Sequence, residues 1–221
     1  MKAFPKILVC ISIILSFQFS ILNSATAQIT HASQGRLDEN ATAALQKAAK
    51  KLNNVKCTVS LTVLDSKKKE IARQSAEVQY SKGKYRLVMD NQEIISDGTT
   101  VWQWDKSAKE VAVNNVSTSG IDLLNPGSLL ANYNKNFRAK YIRTEDDGNV
   151  VVDMQPRSAQ NYHKIRLFID EESGRLNRLE VHKYDSGREI YTFSNYKFGG
   201  IGGKFQFDTK AHPDVEVIDM R

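Results

Sequence analysis

Four histidines (His31, His163, His182 and His212) and two cysteines (Cys10 and Cys57) are the residues of this chain best suited to hold a metal, move a proton or attack a carbonyl. No two histidines stand at H-x-x-x-H spacing, and two cysteines cannot supply a Cys-rich zinc cluster. Neither a G-x-S-x-G elbow nor a phosphate-binding loop occurs. Gly199-Gly200-Ile201-Gly202-Gly203 lacks the lysine and the following helix of such a loop and reads as a connector. Carboxylates gather at Asp146-Asp147 and Glu171-Glu172, both in glycine-marked turns, where solvation accounts for them. Cys57 alternates with Val59, Leu61 and Val63 and reads as a buried structural thiol. The pattern yields no catalytic residue, no metal ligand set and no cofactor motif, so an enzyme is not expected.

What remains is apolar and aromatic. Tyr85, Trp102, Trp104, Tyr141, Phe168, Tyr191 and Phe193 all fall in segments of period-two hydrophobicity. The chemistry they offer is burial, worth about 0.8 kcal/mol for each CH₂ of a ligand chain removed from water. The densest stretch is Ile94 to Asp105, I-I-S-D-G-T-T-V-W-Q-W-D. It reads as a β-hairpin with Asp97-Gly98 as a two-residue turn, both φ angles positive, which puts Ile95 opposite Thr100 and Ile94 opposite Val101. Trp102 and Trp104 then share one face and Val101 takes the other. Both faces carry apolar weight, so each needs a cover, and one cover could be a ligand.

The elements that must position these residues can be read from the rest of the chain. Residues 1–27 read as a cleaved secretory signal peptide: Lys2 and Lys6, an apolar run from Ile7 to Leu22, and a small-x-small site at Ala25-Thr26-Ala27. Residues 28–221 then form one domain. Loss of Lys2 and Lys6 with the leader lowers the net charge from +6 to +4, too mild to point to nucleic acid and compatible with contact at an anionic membrane surface. With Cys57 alone left, no internal disulfide is available and packing must supply the stability.

After a loose start at 28–35, apolar residues from Leu37 to Leu52 recur at helical spacing, half of them alanine, acidic early and basic late. Strands are predicted at 55–64, 70–80, 84–90, in the central hairpin, and at 109–114, 136–144, 149–155, 163–170, 176–184 and 188–197. A further strand holds Phe205 and Phe207, and 215–218 is a short last one. Asn125-Pro126 reads as an N-cap and first helical residue of a short helix presenting Leu129, Leu130 and Tyr133. Ten or eleven antiparallel strands without βαβ alternation predict a mainly β fold, a barrel or half-barrel with helices over one mouth.

Several segments resemble the periplasmic outer-membrane lipoprotein carriers, the LolA family. The hairpin I-I-S-D-G-T-T-V-W-Q-W-D is similar to that family's signature of apolar residues, S-D-G, Thr and spaced aromatics. Lys109 to Val113 (K-E-V-A-V), Leu167-Phe168-Ile169-Asp170 with Gly174-Arg175-Leu176, and the end from Lys204 to Arg221, with its F-x-F, Pro, V-x-V and terminal Arg, follow the same pattern.

The resemblance implies an unclosed, strongly curved antiparallel half-barrel whose N-terminal and mid-chain helices form a lid over an apolar cavity. It implies a monomeric periplasmic carrier, without cofactor, that takes acylated lipoproteins from an inner-membrane ATP-driven transporter of the ABC class to the outer membrane, where an acceptor lipoprotein receives them. The expected lining is Tyr85, Leu87, Met89, Ile95, Trp102 and Trp104 from the sheet and Leu129 and Leu130 from the lid. The chain departs from the family at one place. An Arg-Pro pair that tethers the lid there is missing from Tyr80 to Arg86, and Lys82 is the residue expected to take the tethering role. The alternative is a periplasmic lipid-binding sensor or regulatory interaction module on the same scaffold.

Overall fold

In the computed structural model, residues 38–116 and 124–221 are described. The leader, the loose start and Leu37 lie outside the described residues, as does 120–123 of the segment expected to break the strand rhythm. The first helix, α1, spans Glu39–Lys51. Asp38 caps it, its carboxylate accepting from the Ala41 N–H at 2.9 Å, with Glu39 in the first turn and Lys50 and Lys51 in the last, as the helix dipole favours. Its buried stripe is Ala41, Leu45, Ala48 and Ala49.

Six strands follow: β1 Val55–Leu64, β2 Glu70–Ser81, β3 Lys84–Val88, β4 Gln92–Ser96, β5 Thr100–Asp105 and β6 Glu110–Asn115. Two short helices, α2 Pro126–Ala131 and α3 Tyr133–Asn136, precede β7 Phe137–Thr144, β8 Asn149–Pro156, β9 Tyr162–Asp170, β10 Leu176–Lys183, β11 Arg188–Phe198 and β12 Glu216–Asp219. The twelve strands of the described residues form one sheet in the order β12-β6-β5-β4-β3-β2-β1-β11-β10-β9-β8-β7. Two meanders are joined where β1 pairs with β11, and the outermost strands, β7 and β12, do not meet, so the barrel stays unclosed.

Three expectations are corrected. Phe205 and Phe207 do not form a strand; their segment crosses the sheet's outer face, where Phe207 is buried. The last strand, β12, runs parallel to β6, because the chain crosses the sheet before it returns to that edge. The central hairpin turns one residue later than expected. Asp97 N–H donates to the Thr100 carbonyl, Gly98 has φ +95°, and Ile95 stands opposite Trp102. The Asp97 carboxylate accepts from Thr99 and Thr100 N–H and from the Thr99 hydroxyl, which leaves Gly98 as first central residue to take the positive φ. A turn with both central φ angles positive does occur, at Lys82-Gly83 between β2 and β3. The register slides by two residues, so the faces are preserved: Ile95, Trp102 and Trp104 remain together.

Candidate functional site

The ladder registers sort the sheet into an inner and an outer face. Across the inner face one row reads Gln74, Leu61, Tyr191, Leu179, Leu167, Val152 and Tyr141. On the other meander the rows read Cys57, Val78, Leu87, Ile94, Gln103 and Val55, Tyr80, Tyr85, Ser96, Val101. Most of these side chains are buried, and the helices cover part of this face: α1 and α3 pack over β7 to β9, and α2 lies against α1. The outer face carries Lys56, Gln79 and Arg86 in one row and Thr58 and Glu77 in the next. Around β8–β10 it carries a charged ladder: Asp153 between Arg166 and Lys164, and Glu180 among Arg178, Arg188 and His182.

The expected lining set is therefore split, which corrects the expectation of one continuous surface. Tyr85 and Leu87 are buried on the inner face; Met89 is half-buried in the turn after β3. Ile95, Trp102 and Trp104 lie on the outer face of β4 and β5, in line with Arg86, Val113 and Val111. The chain covers them itself. Phe207 meets the Trp104 ring edge-on with centroids 5.3 Å apart, His212 lies 4.5 Å away, and Val215 completes the cluster with Ile95 and Val111. Glu93, buried in the same face, is neutralised by Arg86 and Lys106.

The lid elements form as expected at Asn125, which caps α2 by accepting from the Ser128 N–H, and at Leu129, Leu130 and Tyr133, all buried. Gly127 lets α2 cross α1 closely: a Cβ there would stand 3.3 Å from Leu52 Cβ. Asn125 Nδ2 donates to the Gly83 carbonyl at 2.9 Å, tying α2 to the β2–β3 turn. Lys82 sits beside that carbonyl, yet its side chain is exposed, and among the described residues only its backbone N–H is engaged, by Asn53. A hydrogen bond between α2 and this turn is thus made by Asn125, while Lys82 stands exposed at φ +50°.

Further ties hold α1. Thr42 and Tyr133 share a hydrogen bond of 2.7 Å, Lys47 donates to the carbonyls of Glu171 and Glu172, and Asp38 accepts from the Tyr141 N–H of edge strand β7. The amides of Ala41 and Tyr141 hold the Asp38 carboxyl below its usual range. Sequence reasoning missed Asp38 and Asn125 as ties to the sheet. The cap signal was visible at Asn125; its second partner, 42 residues away, left no local trace.

The inner face also holds a buried carboxylate. Glu189 is buried between Val63 and Val181, ion-paired to Lys183 at 2.7 Å and accepting from the Tyr191 hydroxyl at 3.0 Å. Burial first, and then the Glu189 charge, push the Tyr191 phenol well above its ordinary value. Cys57 is free and buried, and burial pushes its thiol up to about 12, so it is not a thiolate nucleophile. His163 and His182 come within 6.1 Å of each other, ring to ring, beside the exposed Tyr184.

A sheet whose inner face is largely apolar and carries the helices can take up apolar chains; among the described residues no nucleophile has an adjacent base. Residues 50–208 match the family model described as outer membrane lipoprotein carrier protein LolA. The chain belongs to the LolA family. Outer-membrane lipoprotein carrier proteins of Actinobacillus pleuropneumoniae, serotypes 3 and 7, are each 28% identical over 216 residues, 91% of this chain and 93% of the relative. Among solved structures, an uncharacterized conserved protein from Thermus thermophilus is similar in fold, with a TM-score of 0.50 at 11% identity over 82% of this chain and 99% of that one. A LolA superfamily protein from Nitrosomonas europaea gives 0.44 at 15% identity over 76% and 98%. LolA family carriers are periplasmic, non-enzymatic binding proteins for lipoproteins, and at that level the family assigns this chain's role. No helix of the described residues is long and apolar enough to cross a membrane.

Proposed function

We propose that this protein, exported through the cleaved leader, receives lipoproteins from an inner-membrane ABC transporter. It shields their acyl chains on its inner face and delivers them to an acceptor lipoprotein at the outer membrane. The observation that carries the reading is the inner face itself: largely apolar rows, interrupted at Gln74, Ser96 and Gln103, over part of which helices lie, tied to the sheet by hydrogen bonds at Asn125, Lys47 and Asp38. Three of the four residues of the α1 stripe are alanine, so it covers without filling. Tyr85, Leu87, Leu129 and Leu130 are the proposed contacts, joined by Ile94 and Val101; Met89 stands at the margin. Trp102, Trp104 and Ile95 are assigned to holding the C-terminal segment, and the lid tether to Asn125. About ten methylenes buried against such a face would contribute ~8 kcal/mol without polar specificity, enough for capture and still reversible.

The test is release of a triacylated lipoprotein from energised inner-membrane vesicles by the purified mature chain, followed by mass spectrometry of the soluble complex. A complex with the intact lipoprotein is expected. Recovery of free small lipid alone would favour the sensor reading, and no release at all would defeat the carrier.

A further inference from the structure

Phe198 is the last residue of β11 and is 49% exposed, the only aromatic among the described residues to be so apart from Tyr184. Its surroundings are basic. Lys51, at the end of α1, places its ammonium 5.4 Å from the centre of the Phe198 ring. Lys197 precedes it and stands directly across from Lys56 of β1. From there the surface runs over Gln79, which Gly203 approaches closely, to a cleft of about 570 Å³ lined by Lys84, Lys204 and Lys210 and the chain between the last two. Lys82 stands exposed in the adjoining turn.

Against these seven lysines stand Glu77, paired with Lys56; Asp208, paired with Lys204; and Asp97, engaged by Gln206 and its own turn. Phe198 shares the inner face with Val55 and stacks on Tyr196, Lys51 lies over it, and Lys56 and Lys197 stand on the outer face at the same rim. An exposed ring at a lysine-rich rim suits the boundary between headgroups and acyl chains, where the ring enters and the ammoniums meet phosphates. An acidic protein would satisfy the lysines and leave the ring unused. The flanking Gly199 and Gly200, both at positive φ, carry no side chain that would hold the ring off a surface.

We propose that this lysine-rich end of the sheet is a reversible docking surface for anionic phospholipid membrane, with Phe198 as its insertion point. The inference stands whether or not the inner face takes acyl chains, since it rests on different residues. The mature chain is floated with vesicles of phosphatidylcholine containing phosphatidylglycerol, and with phosphatidylcholine alone. Binding to the anionic vesicles only, falling as salt is raised, is expected. The combined variant Lys82→Glu, Lys84→Glu, Lys204→Glu, Lys210→Glu should weaken it about tenfold or more. Phe198→Ser should weaken it while preserving the salt dependence. Circular dichroism and a melting curve establish that both variants fold. Equal binding to neutral vesicles, unaltered binding by the folded variants, or capture of soluble polyglutamate without vesicle binding would overturn the proposal, the last in favour of an acidic protein partner.

Discussion

The two sides of the β4–β5 hairpin are both apolar, and they are covered by different means. On the inner side Ile94 and Val101 belong to rows that run into the face carrying the helices, where the cover is tied on by single hydrogen bonds from Asn125, Thr42, Lys47 and Asp38. On the outer side Ile95, Trp102 and Trp104 are clamped by Phe207, His212 and Val215, in a segment then fixed to β6 by parallel pairing. The first cover is smooth and polar at its fastenings; the second is an aromatic wedge with a strand behind it. Apolar residues alone do not mark a binding surface. What closes over them, and how firmly, does.

The sharpest way to break this contrast is to truncate one side at a time. Trp104→Ala removes the ring that Phe207 and His212 pack on and should cost about 3 kcal/mol in urea-induced unfolding, with lipoprotein release per folded molecule unchanged. Leu130→Glu, measured in the same release assay, should abolish transfer. A Trp104→Ala protein of normal stability and no transfer would reverse the assignment of the two faces.

A smaller effect is expected at the fastening of α2. Asn125→Ala loses both the cap and the tie to Gly83 and should destabilise by about 1–2 kcal/mol. Asn125→Asp keeps the cap and loses the donor. If the tie holds the cover down, amide exchange in α2 should rise in both variants while exchange in β8 and β9 stays slow; identical exchange in wild type and Asn125→Asp would remove the tether.

The smallest effect concerns the hairpin turn common to both sides. Burial raises the Asp97 carboxyl, but the amides of Thr100 and Thr99, the Thr99 hydroxyl and Gln206 outweigh it and bring it down to about 2. A carboxylate depressed in the folded state lends stability above its unfolded pKa near 4 and loses it as pH falls towards 2, here about 1 kcal/mol after solvent screening. Asp97→Asn should flatten the decline of the melting temperature across that window; an unchanged slope would mean the carboxylate does not organise the turn.

Much of this architecture was legible in the residues because alternation is local. The strands of the two meanders, the α1 stripe, the Asn125-Pro126 start of α2 and the company of Ile95 with the two tryptophans all follow from spacing within a few positions. The turn was misplaced by one residue because Asp-Gly suits two turn types, and Asp97 used its side chain as an acceptor rather than entering the positive-φ region. The split of the lining set was less legible: the register of β3 against β4 pairs Leu87 with Ile94 and Arg86 with Ile95, and register depends on a turn between them that the spacing did not define. The cover over Trp104 was not legible. Phe205 and Phe207 read as a strand, and only the placement of their segment across β4–β6, about a hundred residues earlier in the chain, gives Phe207 and His212 their role.

The seam between β1 and β11 has a consequence for how the molecule is made. Strand β1 is synthesised early, yet one of its two edges waits for a partner whose first residue, Arg188, lies more than a hundred positions behind it. Until then the first meander has an open edge of ten residues, a template for pairing with another chain. Contacts so distant in sequence close slowly. Completion of the sheet therefore requires one long-range pairing, and a chain in which it has not yet formed exposes the β1 edge to aggregation and proteolysis.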